Sequence, residues 1–309
     1  SYLGYPIFSP EGDVLGTICV EDDKERYFKE AEKELLYEFK KIIENQINQS
    51  KLTQELEENL EKGKKLHHQF LPLELPEVDG LSFGTYYQAS GRLGGDFYDV
   101  IDYGKKLLFY VSDVSGHDLT GSMLNIFLKE NLNTYLHSNL SSDYNNNKLS
   151  PANIMNYLSS RFKEKNFPAD YFISLIIGTI DKENYKVTIN NSGFQFLPLV
   201  TKENGDIFNI FCKGMPITGL KGDMDYDEVT YHLKPKETLH IHTDGIFEQK
   251  NQKGKFYKDT KVWKLISDSS HLKPEKIVER LYEDFYEFKK GISQQDDVTS
   301  FLIQRDSDE

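Results

Sequence analysis

Twice between residues 91 and 122, in GRLGGDFYDVIDYGKKLLFYVSDVSGHDLTGS, an apolar or aromatic β-type run meets an aspartate near glycine: Asp96 in GGDFYDV and Asp113 in FYVSDVSGH. Two further acidic sites follow far downstream, Asp244 in HIHTDGIFE and Asp296 with Asp297 in SQQDDVTSFLI, again beside β-type runs. A single Asp-Gly pair is an ordinary turn. Four such sites at strand ends demand more, a multi-stranded fold that can gather carboxylates at one pole. Carboxylate oxygens suit hard divalent cations such as Mg²⁺ and Mn²⁺, and adjacent glycines let backbone approach an ion or a phosphate closely.

The texture around these sites defines the fold class. From Leu81 the sequence reads as strands, LSFGTYYQAS, GGDFYDVIDY and KKLLFYVSDV, with Tyr103-Gly104-Lys105 as a turn. A helix follows, capped by Asp118 or Thr120, with Met123, Phe127, Leu128, Leu132 and Leu136 on its apolar face. The polar stretch 138 to 150 reads as a loop, and Ser150-Pro151 as the start of a second helix ending near Lys165. Strands are expected at 171 to 181, 184 to 191, 194 to 202 and 206 to 212, with Asn204-Gly205 a strong hairpin signal. More strands are expected at 226 to 233 and 237 to 243, helices near Lys258 and from Pro274 to Lys289, and a last strand from Val298 to Ile303. Runs of strands broken by helix pairs, not alternating βαβ units, predict an α+β architecture with two sheets face to face and helices outside.

The N-terminal part is different. Tyr5 to Phe8 and Val14 to Val20 read as two strands around Pro10-Glu11-Gly12-Asp13, and an isolated hairpin is marginal by itself. Residues 25 to 70 contain no proline and one glycine, Gly63, in a helix-favouring mixture of Glu, Lys, Leu and Gln. Alternate steps of four and three from Leu35 give Phe39, Ile42, Gln46, Gln49, Thr53, Leu56, Leu60, Gly63, His67 and Phe70. This broken heptad suits either a parallel dimeric coiled coil with a polar, weakly registered middle or an amphipathic connector packed on its own domain. Pro72 and Pro76 would end the helix. His67 and His68 read as surface or interface residues, since no second ligand pair has matching spacing.

Composition excludes several classes. A net charge of −13 over 309 residues argues against a nonspecific grip on nucleic acid. No apolar run approaches the roughly 18 residues needed to cross a bilayer, and no signal core opens the chain, so no membrane association and a cytoplasmic location are expected. Cys19 and Cys212 fit neither a disulfide framework nor a CxxC site and read as reduced and buried.

The four acidic segments, in this order and with these neighbours, resemble the SpoIIE-like branch of the metal-dependent protein phosphatases (PPM, or PP2C-like), from about Leu71 to Ile303. The LHHQFLPLELP segment is similar to the IQ-x-x-LLP stretch that precedes the catalytic domain in that family, and residues 1 to 48 are similar to the closing strands and helix of a GAF sensory domain. The resemblance implies a PP2C-like αββα sandwich at 73 to 305, a helical linker at 49 to 72 and a partial GAF-like domain at 1 to 48. It further implies two Mn²⁺ or Mg²⁺ ions, with Asp113 bridging them, the Val114 carbonyl a further ligand, Asp96 on one ion, and Asp244 and Asp296 on the other. Asp99 and Asp297 are weaker ligand candidates that would act through water. The implied substrate is a phosphoserine or phosphothreonine on a STAS-domain (anti-anti-sigma-like) protein, and the implied assembly is a homodimer through the helical linker.

One position departs from the family pattern: Asn191-Ser192-Gly193-Phe194 stands where relatives carry N-A-G-H, so the imidazole there is missing. His117 and Arg92 are alternatives for approaching phosphate, and each reads equally well as a loop or surface residue. Two other functions compete with the phosphatase. A signalling module without activity would have lost a metal carboxylate, and none is lost; a nuclease would want basic or base-stacking grooves, which the acidic composition does not offer.

Overall fold

The computed structural model describes the chain apart from residues 73, 92, 117, 118, 141–148, 221–225, 308 and 309 and the side chains at 66–68 and 139–140. His67, His68, Arg92, His117 and Asp118, named above, therefore lie outside the described residues or side chains. Two compact units are present, Ser1–Gly63 and Lys64–Glu309.

In the first unit, β1 (Tyr2–Phe8) and β2 (Val14–Glu21) form an antiparallel hairpin whose register runs from Tyr2↔Glu21 to Ile7↔Gly16 and shifts before Phe8↔Val14. The helix α1 (Glu30–Phe70) opens with Glu30 and Glu32 at its positive N-terminal end. Its first turns pack on the hairpin. Tyr37 meets Tyr5 edge to face at 5.5 Å, and the Phe8 amide donates to Glu44 Oε1 at 2.9 Å. Among the described residues of this unit only Leu36 is a buried hydrophobic side chain, and Cys19 is exposed rather than buried as expected.

The second unit holds two antiparallel sheets. The first contains β4 (Asp96–Tyr103), β5 (Lys106–Val114), β6 (Phe172–Asp181), β7 (Lys186–Ser192) and β11 (Val229–His232) in the order β11-β7-β6-β5-β4, with β10 (Ile217–Thr218) added on β6. The second runs β3 (Leu81–Gln88), β13 (Val298–Arg305), β12 (Thr238–His242), β8 (Leu199–Thr201) and β9 (Ile207–Asn209). Alternation along each strand sends one set of side chains between the sheets. Phe109 of β5 stacks on Phe301 of β13 at 6.0 Å, and Tyr98 of β4 and Phe83 of β3 close around the same ring. Helices α2 (Leu119–Leu140) and α3 (Pro151–Glu164) bury Leu128, Leu132, Ile154 and Phe162 in the core with the first sheet. Helices α5 (Val262–Asp268) and α6 (Pro274–Lys289) bury Ile266, Ile277, Leu281 and Phe285 against Val298 and Leu302 of the second. Among the described residues no helix is long and apolar enough to cross a membrane.

Local chemistry accounts for the boundaries. Ser150 Oγ caps α3 by accepting from the Asn153 amide at 3.2 Å, with Pro151 at the first helical position. The Asn204-Gly205 hairpin forms with Gly205 at φ +89°. The strand expected at 194 to 202 begins only at Leu199, because Asn191 Oδ1 accepts from the Phe194 amide at 3.0 Å and holds a turn there, and the one expected at 206 to 212 is the shorter Ile207–Asn209. Proline at 198, without an N–H, lies just before β8 begins. Two short elements were not expected at all, β10 and the helix α4 (Asp244–Glu248). Near Lys258 the chain makes a 3₁₀ turn, Tyr257–Asp259, before α5.

Candidate active site

The β4–β5 hairpin places Asp96 directly opposite Asp113 in register. Both share strand parity with the residues that face the other sheet, Tyr98 on β4 and Phe109 on β5, so both carboxylates belong to the inner face at one end of the sandwich. The second sheet reaches the same end. Asp244 begins α4 immediately after β12, and Asp296 and Asp297 immediately precede β13. The two sheets are joined here by side chains: Thr243 Oγ1 and Thr299 Oγ1 each donate to Asp96 Oδ2 at 2.7 Å. Thr243 also accepts from the Thr299 amide at 2.9 Å.

Burial and crowding push the carboxyls of Asp96, Asp113 and Asp244 upward. Asp113 is pushed up to about 8 by burial and then by the charges of Asp244, Asp296 and Asp297. Burial raises Asp96 strongly, helped by Asp113 and Asp297 and opposed by the two threonine hydroxyls. Asp244 rises to about 6 through burial, Asp296 and Glu248, partly offset by the amides of Asp244 and Gly245. Among the described residues no lysine, arginine or histidine forms an ion pair with Asp113 or Asp244. Nor does any group of three or more His, Cys, Asp or Glu side chains among them close around a single point as a finished coordination shell. The fit to divalent ions therefore rests on the donor set: hard oxygens at one pole whose mutual repulsion a cation would relieve.

The two weaker ligand candidates separate. Asp297 is an anchor. Its Oδ1 accepts from the Ser90 amide at 2.7 Å and from Ser90 Oγ at 3.0 Å, while Oδ2 accepts from the amides of Gly95 and Asp96. Asp99 lies an odd number of residues from Asp96 and so points to the opposite face of β4, where Lys129 Nζ of α2 pairs with it at 3.1 Å. It is not at the pole. Asp296 Oδ1 accepts from the Asp297 amide at 2.8 Å, and the Val114 carbonyl lies beside the Gly95 backbone. Close approach of backbone is built in: a Cβ on Gly121 would stand 2.9 Å from Gly95 Cα and run into the Gly116 carbonyl. Asn125 of α2 ties this contact down, donating to Gly95 O at 2.9 Å and accepting from Ser112 Oγ at 3.0 Å. Phe194, in place of the family's histidine, is buried in the core, so no titrating side chain stands there. The reading from sequence missed Thr243, Thr299, Asn125 and Ser90. The threonines were visible only as neighbours of motif aspartates, in HTDG and DDVT.

Two antiparallel sheets between helix pairs, with acidic strand ends at one pole, define a PP2C-type phosphatase domain. The fold is similar to the SiaA-PP2C domain of Pseudomonas aeruginosa, with a TM-score of 0.70 at 16% identity over 82% of this chain and 99% of that one. It is also similar to the PP2C phosphatase domain and regulatory fragment of SpoIIE from Bacillus subtilis, with a TM-score of 0.59 at 20% identity over 74% of this chain and 64% of that one. In sequence, the phosphoserine phosphatase RsbU of Bacillus subtilis (strain 168) is 18% identical over 254 residues, 82% of this chain and 72% of that protein. The model of the Stage II sporulation protein E (SpoIIE) family matches residues 103–306, well over half of the chain, and the chain belongs to that family. The match includes Asp113, Asp244 and Asp296, while Asp96 lies before its start.

Proposed function

We propose that this chain is a metal-dependent protein serine/threonine phosphatase acting on a phosphorylated STAS-domain protein. The observation that carries the reading is the convergence of Asp96, Asp113, Asp244 and Asp296, drawn from both sheets, into one electrostatically coupled pole in a SpoIIE-family chain. Asp113 would serve both ions with the Val114 carbonyl as a further ligand, Asp96 would add to one, and Asp244 and Asp296 to the other. Such a pair of Mn²⁺ or Mg²⁺ ions supplies an activated water and offsets the charge that develops on the phosphoryl group. The chain's own residues do the positioning: Thr243 and Thr299 orient Asp96, and Asp297 fixes the loop that delivers it. Support for the substrate class comes from the likeness to RsbU, itself described as a phosphoserine phosphatase. The test is hydrolysis of an aryl phosphate by the whole chain. Turnover is expected with Mn²⁺ and not with chelator, and its absence at saturating Mn²⁺ would overturn the reading.

The same reading gives the first unit a sensory role, as the closing part of a GAF-like domain whose signal reaches the phosphatase through a dimer of α1. On α1 the side chains of Leu35, Phe39, Ile42 and Leu56 are 59%, 49%, 57% and 60% exposed, a stripe at heptad spacing that a second copy would cover. The polar positions Gln46, Gln49 and Thr53 interrupt it and make the middle of the helix the segment where two registers compete. Replacing Leu56 and Leu60 with Glu is expected to give monomers in sedimentation and a changed Mn²⁺-dependent rate. A dimer of undiminished affinity would place the interface elsewhere.

A further inference from the structure

A cleft of about 260 Å³ opens directly beside the acidic pole, with Asp244 and Asp296 at its inner side and Glu248, Gln295, Lys250 and Phe256 completing its wall. Its outer rim is a rigid basic turn. Lys250 and Phe256 are bridged as antiparallel partners, and the Asn251 amide donates to Lys255 O at 3.1 Å while the Gly254 amide donates to Asn251 O at 2.9 Å. Asn251 Oδ1 accepts from the amides of both Lys253 and Lys255, and Gln252 Nε2 donates to Lys290 O at 3.2 Å. These bonds fix the backbone of the turn, which lowers the entropy lost when something binds it.

Lys250, Lys253 and Lys255 are exposed, and among the described residues no carboxylate pairs with any of them. Nearby Lys258 is different, since Glu248 holds its Nζ at 2.7 Å. Lys250 Nζ lies 4.9 Å from the Phe256 ring centre, so its position is set by an aromatic face instead of an acid. Lys250 thus lines a cleft that also holds Asp244 and Asp296, and Lys253 and Lys255 follow it on the same exposed turn of a chain of net charge −13.

Resting on the phosphatase reading above, we infer that the Lys250–Phe256 turn is the docking subsite for an acidic segment flanking the phosphorylated residue of the partner protein. Phe256 and the Lys250 stem give the flanking chain an apolar wall, and the three ammonium groups receive its carboxylates. An acidic pole would otherwise repel such a segment. The basic rim offsets that repulsion at the cleft's mouth and selects acid-flanked over lysine-flanked phosphoserine.

The experiment uses the whole chain with Mn²⁺ and two synthetic phosphoserine peptides, one with Asp and Glu flanks and one with Lys flanks, each measured as kcat/KM beside an aryl phosphate. The parent is expected to prefer the acid-flanked peptide, and Lys250→Glu combined with Lys253→Glu and Lys255→Glu to lower that preference about tenfold, as the loss of several steering charges does. The parent's preference should also fall as salt is raised. A parent that cleaves aryl phosphate yet treats both peptides alike, or a triple variant that keeps the parent's preference, overturns the docking site and leaves the phosphatase reading intact. A parent that cleaves no phosphate ester at all overturns both.

Discussion

Asp113→Asn is expected to melt higher than the parent chain in chelator at pH 8 while losing Mn²⁺-dependent hydrolysis by on the order of 10³-fold or more. The stability gain follows from the direction of the Asp113 shift. Its folded-state value of about 8 stands far above the roughly 3.9 of an unfolded aspartate, so the folded domain binds a proton that the unfolded chain releases. This favours the folded state fully below about pH 4 and is lost progressively as pH rises towards 8, where the ionised carboxylate is buried among like charges. An amide has no charge to repel. The advantage of the variant should therefore be absent near pH 4 and grow to about 2 kcal/mol at pH 8, since a pKa unit is worth about 1.4 kcal/mol and neighbouring carboxylates take up part of the relief. In a unit of this size that is about 4 to 8 °C. Saturating Mn²⁺ should reverse the order by stabilising only the parent. Differential scanning fluorimetry across pH, with and without Mn²⁺, measures all of this, and a variant less stable than the parent in chelator at pH 8 would rule out the charge-crowded pole.

For Asp297 the opposite sign is expected. Asp297→Ala should lower stability by about 3 kcal/mol, because it strips partners from the amides of Ser90, Gly95 and Asp96 in a site where the carboxylate is only 4% exposed. Some relief of repulsion on Asp96 and Asp113 comes with it, but unmet buried donors cost more than a screened like charge contributes. Activity should fall as well, through displacement of the loop that carries Asp96. Asp297→Asn should be milder, since an amide oxygen can still accept from Ser90, although its NH₂ faces the donor amides of Gly95 and Asp96 and leaves them unmet. Chemical denaturation in chelator compares the two. A stability gain of the Asp113→Asn kind from Asp297→Ala would make Asp297 one more crowded ligand and remove its anchoring role.

These paired outcomes mark where the sequence was informative. Asp96, Asp113, Asp244 and Asp296 were legible because each sits at a strand end in a recognisable run, and the topology that joins those ends follows from antiparallel strand order. Asp99 was separable from Asp96 by parity alone, since an odd spacing on a strand puts two side chains on opposite faces. Asp297 could not be separated from Asp296 in this way. Its partners Ser90 and Gly95 lie about 200 residues earlier, and only the fold brings them near. The same holds for the threonines on Asp96 and for α4, a helix of five residues too short to show a period. The start of the strand after β7, expected at 194, was misjudged because Asn191 turns the chain with a side-chain hydrogen bond, a competition that hydropathy does not reveal.

The threonine contacts have a consequence for how Asp96 can bind anything. A carboxylate oxygen has two lone-pair directions, and on Oδ2 both are taken by hydroxyl protons from Thr243 and Thr299. Oδ1 is the oxygen left to offer, so Asp96 would serve an ion through that atom. Because the two hydroxyls come from the opposite sheet, the free oxygen of Asp96 is set by how the two sheets pack, and a change in that packing would reach the carboxylate directly.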